Sequence, residues 1–148
     1  MIPVKEQPEP LDFDKEVRKP GKKWLADNPS NKKLKQFWSR AHNDLWQAYK
    51  GICAYTCHFI PPDLGAASID HFIPKSIDPM SAYEWSNYRL ASTRINGRKN
   101  DYTDVLDPFK LPNNWFTLVI PGLLVKPNPR LSVGQQQQVQ ATIDRLKL

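Results

Sequence analysis

Cysteine and glycine are scarce: two cysteines, Cys53 and Cys57, and six glycines in 148 residues. Two thiols cannot build a disulfide framework, nor alone a four-thiolate zinc site. No apolar run approaches a membrane span, and the N-terminus lacks the apolar stretch of a signal peptide, so a cytoplasmic protein with no membrane attachment is expected. There is no internal repeat, and the length suits one compact domain. Proline is plentiful, with 14 residues gathered toward the ends. Positive charge is in excess, 21 Lys and Arg against 15 Asp and Glu, for a net +6 and a pI near 9.4. That balance leans toward a polyanionic partner without requiring one. Arg18, Lys19, Lys22, Lys23, Lys32, Lys33 and Lys35 form a basic run opposed locally by Asp27 alone. A solvated face and a phosphate-contacting arm fit that run about equally.

Residues 1–33 read as an extended Pro-rich and basic arm ahead of a single domain over 34–148. Trp24 and Leu25 anchor a short helical turn ended by Asn28-Pro29, and Ser30 or Asn31 is a candidate N-cap. Leu34, Phe37, Trp38, Ala41, Leu45, Ala48 and Tyr49 recur at three- and four-residue steps, predicting an amphipathic helix stopped by Lys50-Gly51. Two β-prone segments follow, 52–57 and 68–73, the second stopped by Pro74. Asn87-Tyr88-Arg89-Leu90 suits a short returning strand, and Ser92 can cap a helix from Thr93 to about Tyr102. Beyond Pro108, residues 115–120 and 123–125 predict a hairpin around Pro121-Gly122, and Ser132 opens a last helix. In that helix Val139, Ile143 and Leu146 share a face. The expected class is α+β.

His42 lies within the amphipathic helix and reads as a packing residue. His71 differs in its company: Asp70 beside it, a strand ending in proline, and a downstream helix dense in Asn, Arg and Lys. Taken alone, an Asp-His pair is usually an ion pair or a buried polar contact. The chemistry that needs the whole set is phosphodiester hydrolysis. Imidazole titrates near neutral pH and can activate water. Charge gathering on the phosphate asks for a divalent cation beside it. Asp70 and the amide oxygen of Asn96 are hard donors that suit Mg²⁺ or Mn²⁺ better than Zn²⁺. Adjacent strand residues face opposite ways, which puts Asp70 and His71 on two sides of the reacting group.

Three blocks in order, Ile69-Asp70-His71-Phe72-Ile73-Pro74, Asn87-Tyr88-Arg89-Leu90 and Asn96-Gly97-Arg98-Lys99, resemble the HNH endonuclease motif. The resemblance covers about a third of the chain, from Cys53 to Asp101. Asn87 precedes Asn96 by nine positions, similar to the HNH domain of RNA-guided nucleases. It implies a ββα-metal core at about 51–102 flanked by an N-terminal helix and a C-terminal hairpin plus helix. It further implies His71 as general base, and Asn87 in the catalytic set as the residue that orients the loop and the histidine. Asp70 and Asn96 become ligands of one Mg²⁺ or Mn²⁺, and Asn100, a helical turn on, a support through water.

Many HNH domains carry a zinc held by two cysteine pairs. Here Cys53 and Cys57 are spaced by three residues, and the second pair falls at Ser92 and Ile95, so no structural zinc is expected even with His58 nearby. Arg94, Arg98, Lys99, Lys22 and Lys23 are the candidate DNA-binding residues, and no sequence-reading module accompanies them. The expected function is cleavage of DNA with low intrinsic specificity. An RNase with the same site, or a non-catalytic nucleic-acid-binding protein of the same shape, is the alternative. The flanking segments resemble small nuclease subunits of Septu-type or retron-linked anti-phage systems. That resemblance implies an ATPase partner, with the proline-rich arm and the surface around Trp24 as docking elements.

Overall fold

The computed structural model describes residues 1–31 and 33–148; Lys32 of the basic run lies outside the described residues. The chain is α+β, with four α-helices and two separate two-stranded antiparallel sheets among the described residues. In order these are α1 (Lys19–Asp27), α2 (His42–Ala48), β1 (Ala67–His71), β2 (Tyr88–Ser92), α3 (Thr93–Lys99), β3 (Phe116–Val119), β4 (Leu124–Pro127) and α4 (Val133–Leu146). No helix among the described residues is long and apolar enough to cross a membrane.

The first third departs from expectation. The segment over 1–33 is an extended arm only at its start, where Val4 N donates to Pro108 O and Gln7 N to the Tyr49 hydroxyl. From Asp14 the chain is helical, a π-helical turn to Arg18 running directly into α1. Pro20 does not end the helix: it falls at the junction where the π-helical turn passes into α1. Gly21 is required by packing: a Cβ there would lie 2.2 Å from the Tyr83 ring. Phe13 and Val17 are buried in the core, with Phe13 edge-on to the rings of Trp85 and Tyr88.

The helix expected over 34–49 begins later, as a 3₁₀ turn at Phe37–Ala41 that continues into α2. Neither Ser30 nor Asn31 caps it; Gln36 holds the N-cap position without a side-chain bond. The β-prone stretch 52–57 forms no strand, only a single bridge between Ile52 and Phe59. Its turn is pinned by Gly51, whose positive φ of 69° and close approach to Trp46 and Phe59 exclude a side chain.

The centre and the C-terminal part follow the sequence. β1 and β2 pair with Ile69 opposite Leu90, Asp70 opposite Arg89 and His71 opposite Tyr88. Ser92 accepts from Ile95 N and caps α3. The helix ends at Lys99 rather than Tyr102, with Asn100 at a φ of 45°. β3 and β4 form the expected hairpin, and α4 opens with a capping box of Ser132 and Gln135. Val139, Ile143 and Leu146 are buried on one face of α4, and Thr142 beside them is fully buried, accepting from Leu106 N.

Candidate active site

β1 delivers Asp70 and His71, and β2 returns so that its last residue caps the helix carrying Asn96. The Asn96 amide nitrogen donates to Ser68 Oγ at 3.1 Å and to Ile69 O at 3.2 Å, tying α3 to β1. That fixes the amide, leaving its oxygen to other partners. Asp70, His71, Asn96 and Asn100 line one cavity of about 280 Å³, together with Pro74, Lys75, Thr93, Gly97 and Asp101. Four of the residues singled out in the sequence thus share a site. Lys75 and Asp101 were missed there; both carry charge and lie close in sequence to the motif blocks.

His71 is buried, and its ring packs edge-on between Trp38 and Tyr88 at centroid distances of 5.0 and 5.1 Å. Its Nε2 lies 3.1 Å from Ala82 O. A carbonyl can only accept, so Nε2 carries the hydrogen and Nδ1 keeps a lone pair. Burial holds the imidazole pKa down to about 3, with the Lys75 ammonium adding to the effect. At neutral pH His71 is therefore an uncharged acceptor, and a weaker base than the near-neutral imidazole expected from the sequence.

Asp70 is buried between two donors. The Tyr55 hydroxyl donates to Oδ2 at 2.5 Å, and the Lys99 ammonium lies 3.2 Å from Oδ1. Burial raises the carboxyl pKa, while Lys99 and Tyr55 pull it back. Burial beside that carboxylate also lifts the Tyr55 phenol well above its ordinary value. Lys99 donates as well to His71 O, at 3.1 Å. The expectation that Lys99 contacts DNA is thus corrected: its side chain is 1% exposed and its charge is consumed inside the fold.

Asn87 does not line the cavity. Its side chain accepts from Ile73 N at 2.7 Å and donates to Ile73 O and Ser81 O, each at 3.1 Å. Phe72 N donates in turn to Asn87 O. These bonds clamp both ends of the segment between His71 and Ala82, the carbonyl that fixes the imidazole. Asn87 thus holds the segment that carries Ala82 O, and its own side chain is spent on Ile73 and Ser81.

Of the other candidate DNA contacts, Arg94 is exposed and makes no ion pair among the described residues. Arg98 is half-buried and donates to the carbonyl of Leu146, closing the end of α4, so its first duty is structural. Lys22 pairs with Glu84 at 2.8 Å, whereas Lys23 is exposed without an ion pair among the described residues. Arg18 and Lys19 are likewise matched, by Glu9, Asp14 and Glu84. The fold brings in acidic partners from outside the run and pairs them with Arg18, Lys19 and Lys22. The proline-rich arm, expected as a docking element, is committed to its own core through Tyr49, Pro108 and the Trp85 indole, which donates to Gln7 O.

Asp70 and Asn96 line one cavity and carry hard oxygens, and each Asp70 oxygen has one protein partner with lone-pair capacity left. That fits Mg²⁺ or Mn²⁺ bound mainly through water and phosphate. Among the described residues no group of three or more His, Cys, Asp and Glu side chains converges on a point. Where many HNH domains carry a zinc brace, Cys53 is buried, Cys57 is half-buried and both thiols are free. Ser92 is spent on capping α3 and Ile95 lies in the core. The loop is held instead by the Trp46 indole donating to Ile60 O and by Cys53 N donating to His58 O. No protein-family model matches the chain, and no curated protein matches it.

Proposed function

We propose that the protein is a metal-dependent endonuclease of the HNH type that hydrolyses DNA phosphodiester bonds with low intrinsic sequence specificity. One observation carries the reading. A neutral histidine with its Nε2–H committed to Ala82 O shares a cavity with an acid–amide oxygen pair. Water activation needs this tautomer, with Nε2 fixed as donor and Nδ1 left to accept the proton.

In this reading His71 Nδ1 takes the proton of the attacking water. Ala82 O stabilises the imidazolium that forms by accepting from Nε2–H. Asp70 and Asn96 would hold the divalent cation, which supplies charge stabilisation at the scissile phosphate. Tyr55 and Lys99 hold Asp70 in place, and Asn87 fixes the segment that carries Ala82. Arg94 and Lys23, exposed and without an ion pair among the described residues, would contact the polynucleotide backbone, positioning it without reading sequence. The cytoplasm, where such a substrate is found, is the proposed location.

Supercoiled plasmid and a single-stranded transcript, each incubated with the protein in Mg²⁺, Mn²⁺ or EDTA, test this directly. Metal-dependent nicking or linearisation of plasmid is expected. Cleavage of the transcript alone would replace DNA by RNA as substrate, and cleavage of neither would remove the nuclease reading.

A further inference from the structure

Lys75 lies four residues beyond His71, across Pro74, and its ammonium sits 3.5 Å from His71 Nδ1, the long end of a hydrogen bond. An ammonium has no lone pair to offer, so at this contact Lys75 donates and Nδ1 accepts. The bond from Nε2 to Ala82 O requires the same tautomer, so two independent neighbours agree on where the imidazole proton is. The ammonium also lies 5.4 Å from the centre of the Trp38 ring, against whose face or edge His71 packs as well. Lys75 is half-buried, lines the cavity, and forms no ion pair among the described residues. A positive charge without a carboxylate is thus held over the one nitrogen that can accept a proton from water.

We propose that Lys75 caps the general base in the free protein and releases it to the attacking water by exchanging Nδ1 for a non-bridging oxygen of the substrate phosphodiester. No bond to carbon or phosphorus changes in this step. The ammonium's hydrogen bond to a neutral nitrogen is replaced by one to an anionic oxygen, which is the stronger of the two. The exchange couples exposure of the base to arrival of the phosphate. Lys75 is therefore a positioning and phosphate-sensing residue, and this role rests on the nuclease reading above.

Diethyl pyrocarbonate reacts with an accessible imidazole lone pair, and mass spectrometry resolves which histidine is modified. In the metal-free protein His71 should react about tenfold faster in Lys75→Met than in the native chain, since the cap is one hydrogen bond of about that strength. Lys75→Arg should react like the native protein, and exposed His58 should react alike in all three. Equal His71 rates in native and Lys75→Met overturn the cap. In plasmid cleavage Lys75→Met should raise KM about tenfold with a smaller change in kcat, and Lys75→Arg should restore KM. A fall in kcat at unchanged KM overturns the phosphate exchange. If the native chain cleaves nothing, the nuclease reading fails by itself, while the pyrocarbonate rates still decide whether Nδ1 is capped.

Discussion

The Lys99 ammonium and the Asp70 carboxylate lie 3.2 Å apart, with side chains 1% and 2% exposed. Removing one partner of such a pair leaves the other charge stranded away from water. Lys99→Met should therefore cost about 3 kcal/mol of stability, read from urea denaturation at neutral pH. Lys99→Met combined with Asp70→Asn should recover part of that loss, because neither charge is then left alone. A single variant as stable as the native protein would show that the pair is not buried in solution.

Stability should fall on acidification through His71. Its folded-state pKa of about 3 lies below the ordinary value of 6.5. The unfolded chain therefore binds the extra proton first, and stability drops as pH falls from about 6.5 toward 3. The contribution is fully present above 6.5 and amounts to a few kcal/mol. Denaturant titrations across this range on native protein and His71→Gln should show a shallower slope in the variant. Identical slopes would mean that the imidazole is not held neutral.

Asn87→Ala removes a side chain that bonds Ile73 and Ser81 but does not touch the cavity. Loosening the segment that presents Ala82 O should lower kcat by about 100-fold with little change in KM. Plasmid cleavage under saturating Mg²⁺ checks this, and a pure KM effect would contradict it.

Asn96→Ala deletes one of two proposed oxygen donors. The Mn²⁺ concentration for half-saturation, measured by calorimetry on the free protein, should rise about tenfold. An unchanged titration would mean that Asn96 serves only to tie α3 to β1.

Arg94→Ala should lower the salt slope of duplex binding by about one, as expected for one lost phosphate contact. Arg98→Ala should instead loosen the end of α4, because its guanidinium is spent on Leu146 O. Anisotropy of a labelled duplex at several salt concentrations separates the two.

The returning strand, the Ser92 cap, the hairpin after Trp115 and the Ser132 cap were legible because each rests on local chemistry: alternation, a turn pair or an N-cap side chain. The co-location of Asp70, His71 and Asn96 was legible because strand, strand and helix follow one another closely. The helix around Pro20-Gly21 was not. Both residues read as breakers locally, yet proline falls in the first turn and glycine is demanded by Tyr83, 62 positions away. Lys99 misled for a similar reason, since a lysine in a basic helix looks solvated until Asp70 is seen to receive it. The pairing of Arg18, Lys19 and Lys22 depends on Glu9, Asp14 and Glu84, two of which precede them and one of which is distant in sequence. Lys75 escaped notice because it follows a proline in a loop, where side-chain direction has no periodicity to reveal it.

The most direct test of the account compares native protein with His71→Ala in single-turnover cleavage of supercoiled plasmid at saturating protein and Mg²⁺. The variant should cut at least about 100-fold more slowly while binding the plasmid with native affinity in EDTA. Cleavage by His71→Ala at the native rate would contradict the assignment of the base, and with it the mechanism.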